Sequence, residues 1–207
     1  MVSETYDEEY FERGALTGKS LYTSYRWIPE LTIPMAARIC EFCGIERGAR
    51  VLDFGCAHGF LVRALRLLGR YAWGYDTSDY AYSKRPADLD GVLFVPQYAP
   101  WGEESWDWIV SKDTLEHLKP DELIVALDRF RLHAENLFAV VPLGENGKYV
   151  VPAYELDSTH KIRESLAWWK ETLERCGWQV ERAEYRVEGI KDNYAQWPFG
   201  NGVFVCA

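Results

Sequence analysis

Val51-Leu52-Asp53-Phe54-Gly55-Cys56-Ala57-His58-Gly59-Phe60 decides how this 207-residue chain folds. The run Arg50 to Phe54 is short, mostly apolar and closed by a glycine, the pattern of a strand buried on both faces. Leu61, Ala64, Leu65 and Leu68 then recur at helical spacing and stop at Gly69, so a helix follows at once. Strand, glycine turn and helix form the opening of a βαβ unit. In an open α/β sheet the turn leaving such a strand faces the crevice where ligands sit. Gly55 and Gly59 lack a side chain, so the backbone there turns tightly and lets a ligand come close.

The same alternation continues outward. On the N-terminal side, Met35, Ala36, Ile39, Cys40 and Cys43 mark a helix stopped by Gly44. Residues 1–28 are rich in tyrosine and charge, and Gly14 and Gly18 are expected to interrupt any helical run, so they read as an N-terminal arm. On the C-terminal side, Tyr71 to Tyr75 is a second strand with Asp76 at its tip. A short helix capped by Thr77 or Ser78 follows. Strands are expected at Val92 to Val95, Trp106 to Val110 and Leu137 to Val141, with helical residues from Thr114 and a helix opened by Pro120. Leu166, Trp169, Leu173 and Cys176 give a last helix. Two strands near 178–187 and 202–207 have no helix between them and should pair antiparallel. The class is α/β: a mostly parallel sheet in one domain, residues 29–207.

Composition excludes several roles. The formal charge is −9, which disfavours a large electrostatic footprint on nucleic acid or an anionic membrane. No apolar run approaches the ~20 residues of a bilayer span. The opening MVSETYDEEYF is acidic and polar where a secretory signal would be basic and then apolar. Five cysteines, odd in number and scattered, suit reduced thiols, so a cytoplasmic protein is expected. Cys40-x-x-Cys43 lies in a helical pattern without a second pair and reads as buried thiols rather than zinc ligands. Nine tryptophans and 13 tyrosines hint at a pocket with aromatic walls.

The glycine spacing narrows the ligand. Gly-x-x-x-Gly is neither the Gly-x-Gly-x-x-Gly of a dinucleotide site nor a P-loop. Asp53 would repel a pyrophosphate but could hold a cationic amine. Asp76, 23 residues on, can accept hydrogen bonds from both ribose hydroxyls. A ligand with a ribose, an amine and no phosphate fits better than a nicotinamide dinucleotide. The plainer reading is that both aspartates cap turns and the glycines only end a strand.

Val51 to Gly59 resembles the first motif of class I S-adenosylmethionine-dependent methyltransferases. Trp73-Gly74-Tyr75-Asp76 resembles their second-strand acidic motif. Ser105 to Leu118, ending in Leu115-Glu116-His117-Leu118, resembles their fourth-strand region in the small-molecule branch. The resemblance implies a Rossmann-like fold: a seven-stranded, mostly parallel sheet with helices on both faces and an antiparallel last strand. It implies S-adenosyl-L-methionine as cofactor. Asp53, Gly55, Cys56 (through its backbone), Ala57 and Gly59 would line the methionine end, Asp76 would take the ribose and Thr77 its edge. Gln97 would serve the adenine side, where the family usually offers an acid. Ala57 replaces the usual middle glycine, which calls for a negative φ there.

The resemblance implies transfer of a methyl group to an oxygen or nitrogen of a small-molecule acceptor, with neither nucleic acid nor membrane as partner. The alternative is a non-catalytic relative that binds the same cofactor in a regulatory or scaffold role. Asp113, Glu116 and His117 lie at i, i+3, i+4 and would share one helical face beside the methyl group. Asp113 is assigned to the cofactor and His117 to base or substrate contact. Relatives with a Glu-x-x-Glu-His cluster imply that this trio could hold a divalent cation, but no metal is assigned. His160, in Asp157-Ser158-Thr159-His160, is the second catalytic candidate. Trp169 shares a face with Leu166 and Leu173 and reads as core. Tyr22 and Tyr25 are expected in a lid formed by the arm, since aromatic faces attract a sulfonium.

Overall fold

In the computed structural model, which describes residues 5–96 and 105–207, the sheet begins with β1 (Arg50–Phe54), β2 (Tyr71–Tyr75), β3 (Leu93–Phe94), β4 (Trp106–Lys112) and β5 (Ala134–Pro142). A small hairpin, β6 (Gly144–Glu145) and β7 (Lys148–Tyr149), stands apart, and β8 (Val180–Glu184) and β9 (Asn201–Cys206) complete the sheet. The seven strands run in the order β3-β2-β1-β4-β5-β9-β8. The pairs among β1 to β5 are parallel, while β9 is antiparallel to both β5 and β8. The expected antiparallel ending is therefore present, with β9 inserted between β5 and β8.

Strand periodicity assigns the two cores. Along β5, Phe138 and Val140 face one cluster while Leu137, Ala139 and Val141 face the other. Val203 and Val205 alternate with Phe204 and Cys206 along β9 in the same way. On the first face, α2 (Pro29–Cys43) and α3 (Phe60–Leu67) cover the sheet through Ala36, Ile39, Val62 and Leu65. On the second, α5 (Pro120–His133) and α6 (Leu166–Arg175) supply Leu127, Phe130, Trp169 and Leu173. Trp169 is 1% exposed, a core residue as its spacing indicated.

The arm departs from expectation. Glu8–Thr17 forms a helix, α1, capped by Asp7 and closed by Gly18 at φ 73°. Gly14 sits inside it because a Cβ there would strike the Ser20 hydroxyl where the chain folds back. Gly14 marks a close approach, and only Gly18 marks an end. The short helix α4 (Asp79–Ser83) takes Ser78 as its cap, whose hydroxyl accepts from Ala81 N–H.

Candidate functional site

The order of strands reverses between β1 and β4, and the crevice opens there, at their carboxyl ends. A cleft of about 620 Å³, mouth included, lies over this point. Its walls include Gly55, Ala57, Asp76 and Thr77 from the first two strand ends and Asp113, Thr114 and His117 from the fourth. Gly55 is obligatory here: its φ is +84°, and a Cβ would lie 2.2 Å from the Thr114 side chain. The first turn and the end of β4 are thus packed backbone against side chain.

Asp76 organises the floor. Its carboxylate accepts from Ala57 N–H and from Ser78 N–H, each at 2.8 Å. The bond from Ala57 ties the tip of β2 to the turn after β1, the local bond from Ser78 pins the other oxygen, and together they fix the direction of the remaining lone pairs. Burial raises the Asp76 pKa, and the backbone donors oppose that rise. Ala57 has φ 48°, so the negative value expected at this position is not adopted. A left-handed alanine costs roughly 1–2 kcal/mol, and the bond to Asp76 helps hold it.

Beneath the turn, Asp53 is 3% exposed. Burial, and then the charge of Asp76, push its pKa up to about 8. Cys56 is buried, packed where a Cβ on Gly74 would strike its sulfur, and Gly59 backs onto Leu89 and Leu93. Gly55, Ala57, Asp76, Thr77 and Asp113 therefore meet at the cleft, whereas Asp53, Cys56 and Gly59 support it from below. Gln97 lies outside the described residues.

The arm forms the outer wall. Tyr6, Tyr10, Phe11 and Tyr22 line the cleft, and Tyr25 stands behind Tyr22 with ring centres 4.8 Å apart, stacked on Phe60. Phe11 and Tyr10 are buried against Ala81 of α4. On the far side Tyr10 Oη donates to Asp157 Oδ2 at 3.2 Å, and Ser158 Oγ donates to the Lys19 carbonyl at 3.2 Å. The arm spans the mouth, fastened at both edges.

The fourth-strand region differs from the expected helical face. Only Leu115–His117 turn, as a single 3-10 turn, and Asp113 lies outside it at φ 57°. Asp113 is ion-paired with Lys112 and Lys191, which hold its carboxyl below the usual range against the effect of burial. Asp113, Glu116 and His117 thus do not share one face. Instead, His160 approaches His117, with ring centres 4.6 Å apart, and both lie by the fully buried Glu116. Burial, and then the neighbouring His160, lower the His117 pKa to about 4, while burial lowers that of His160. Burial, and then Asp113, raise the Glu116 pKa well above the usual range.

Sequence reasoning missed Lys191, Asp157 and Thr159. Lys191 comes from an irregular stretch 78 residues away from Asp113, and no local pattern couples them. Asp157 and Thr159 were visible only as neighbours of His160 in its motif, with no role of their own. Tyr6, Tyr10 and Phe11 were visible only as aromatic residues of the arm; Tyr6 precedes the cap of α1, so no helical spacing pairs it with Tyr10.

A family model described as a methyltransferase domain matches residues 30–184. Among solved structures, a chain of the complex between the Haloferax volcanii Trm112 methyltransferase activator and a methyltransferase superposes with a TM-score of 0.69 at 18% identity, covering 86% of this chain and 91% of that one. A TehB-like SAM-dependent methyltransferase from Corynebacterium glutamicum gives 0.58 at 20% identity, covering 84% and 86%. Magnesium protoporphyrin IX methyltransferase from Synechocystis, with bound SAH, gives 0.62 at 14% identity, covering 98% and 90%. Identities this low show a shared fold. Comparison with curated protein sequences finds no match.

Proposed function

Because the chain belongs to the methyltransferase-domain family, we propose that it transfers a methyl group from S-adenosyl-L-methionine to an oxygen or nitrogen of a small-molecule acceptor. The observation that carries this reading is the Asp76 carboxylate, oriented by two backbone donors beside a glycine turn at the strand-order reversal. The donor set fits the cofactor. Two aspartates and no lysine or arginine line the cleft among the described residues, and Lys112 and Lys191 are engaged by Asp113 behind the wall, so a pyrophosphate would find no free cation there, while a sulfonium meets the Asp76 carboxylate and aromatic faces. The magnesium protoporphyrin IX methyltransferase structure, which holds SAH, has the same fold.

The cofactor supplies the methyl group as a sulfonium. Displacement needs the acceptor atom in line with carbon and sulfur, and alignment of this kind is worth ~7–11 kcal/mol in well-oriented systems. Asp76 and Thr77 fix the ribose, Gly55 and Ala57 border the methionine end, and the arm excludes water. His117 meets the acceptor: its ring is uncharged at neutral pH and keeps a lone pair to take a hydroxyl or amine hydrogen. A cleft walled by tyrosines and roofed by the arm suits a small acceptor better than a polymer. With a charge of −9, the chain lacks the basic balance expected of a protein that tracks nucleic acid. Among the described residues, no helix is long and apolar enough to cross a membrane.

The test is incubation with S-adenosyl-L-methionine and pooled hydroxyl and amine acceptors, read by mass spectrometry. Demethylated cofactor and one methylated acceptor are expected together. Cofactor binding without turnover across a broad pool would favour the regulatory role instead.

A further inference from the structure

Glu116, His117 and His160 each offer one ligand atom, and these atoms all lie within 4.8 Å of one another. They come from two segments more than 40 residues apart, brought together where Lys161 N–H and Ile162 N–H both donate to the Glu116 carbonyl. Glu116 is 1% exposed, and its Oε2 has no hydrogen-bond partner among the described residues. His160 Nε2 lies 4.0 Å from Glu116 Oε1 and 3.9 Å from Asp157 Oδ2, too far for a hydrogen bond. A carboxylate oxygen and imidazole nitrogens left unpaired at this spacing match the first shell of a cation.

The groups behind them complete the pattern. His160 Nδ1 sits 2.9 Å from the Tyr154 carbonyl, which can only accept, so that nitrogen carries the hydrogen and Nε2 keeps its lone pair. Thr159 Oγ1 donates to Asp157 Oδ1 at 2.5 Å and therefore accepts from His117 Nδ1 at 2.7 Å. His117 is thus also held in the tautomer with a bare Nε2. Asp157 is itself fixed by Thr159 N–H and by Tyr10 Oη. Ligating histidines characteristically give their other N–H to a carbonyl or a carboxylate-linked group, which sets ring orientation and tautomer. Both imidazoles here have that support, by independent routes.

We propose that Glu116, His117 and His160 bind a first-row divalent transition ion, such as Zn²⁺, Mn²⁺ or Fe²⁺, at the inner wall of the cleft. Two neutral imidazoles and one carboxylate select such ions over Mg²⁺ and Ca²⁺, which favour all-oxygen shells. Ligands at about 2.0–2.2 Å from one ion stand about 3–3.5 Å apart, so the side chains close by an ångström or so on binding. Asp113 is not a ligand, because Lys112 and Lys191 already occupy its carboxylate. Three protein ligands leave positions open, and His117 borders the cleft, so one position is available to an acceptor hydroxyl; with the ion bound, the His117 lone pair is a ligand and the ion, in place of the free imidazole, would acidify that hydroxyl. That last use rests on the methyl-transfer reading; the ion site does not.

The experiment uses the full chain, stripped with chelator and titrated with Co²⁺, Zn²⁺, Mn²⁺ or Mg²⁺ alone, without cofactor or acceptor. One equivalent of Co²⁺ should bind and develop visible bands of nitrogen and oxygen ligation, and Zn²⁺ should displace it while millimolar Mg²⁺ should not. Glu116→Gln and His160→Gln should each weaken Zn²⁺ at least tenfold by calorimetry, and Thr159→Val, which touches no ion, about 10- to 100-fold. Circular dichroism keeps unfolded variants out of the comparison. Folded wild-type protein that takes up no Co²⁺ would overturn the proposal. So would retained affinity in both Gln variants, or equal competition by Mg²⁺.

Discussion

Replacing Asp53 by asparagine should flatten the dependence of stability on pH. The side chain is 3% exposed beneath the glycine turn, where burial and Asp76 raise its pKa to about 8 and Lys112 opposes them. An unfolded aspartate titrates near ~3.9. Between those values the native state holds a proton that the unfolded chain has released. The stability from this group is therefore fully present below about pH 4 and is lost as pH rises toward 8. The slope is about 1.4 kcal/mol per pH unit, so wild type should lose about 2–3 kcal/mol relative to Asp53→Asn between pH 5 and pH 7. Asparagine has the shape of the protonated acid, so the variant should match wild type at pH 5 and exceed it at pH 7. Urea unfolding at pH 5, 6 and 7, at fixed ionic strength, reads the difference directly, because all other titrating groups cancel. A difference that stays constant over that range would refute the reasoning.

Gly55→Ala should destabilise by at least about 2 kcal/mol in urea, since a left-handed alanine costs roughly 1–2 kcal/mol before its Cβ displaces Thr114. Trp169→Ala removes a fully buried ring on the face opposite α2 and α3; a loss of about 3–5 kcal/mol is expected with cofactor affinity retained in the folded fraction. Phe11→Ala should loosen the arm rather than the sheet, seen as faster limited proteolysis between residues 5 and 28 with little change in cleavage elsewhere.

Local pattern revealed what local forces decide. Arg50 to Phe54 and Tyr71 to Tyr75 were read at their observed bounds, because buried parallel strands are unbroken apolar runs closed by turn residues. Gly44 ended its helix as expected, at φ 74°. Where tertiary contact decides, the sequence misled. Gly14 looked like a breaker, yet it admits Ser20, and Asp113 looked helical, yet two lysines draw it out of the turn. His160 was a candidate by motif alone, and its closeness to Glu116 depends on backbone bonds from Lys161 and Ile162 that no spacing encodes. The small hairpin β6–β7 escaped notice because two-residue strands carry no periodicity.

The most direct test is titration calorimetry of the folded chain with S-adenosyl-L-methionine, against Asp76→Asn and against NAD. Wild type should bind the sulfonium cofactor and leave NAD unbound. Asp76→Asn should bind it about 10- to 100-fold more weakly, the loss expected when charged hydrogen bonds become neutral. No heat with folded wild type at near-millimolar cofactor, or an affinity indifferent to Asp76, would contradict the assignment of this turn.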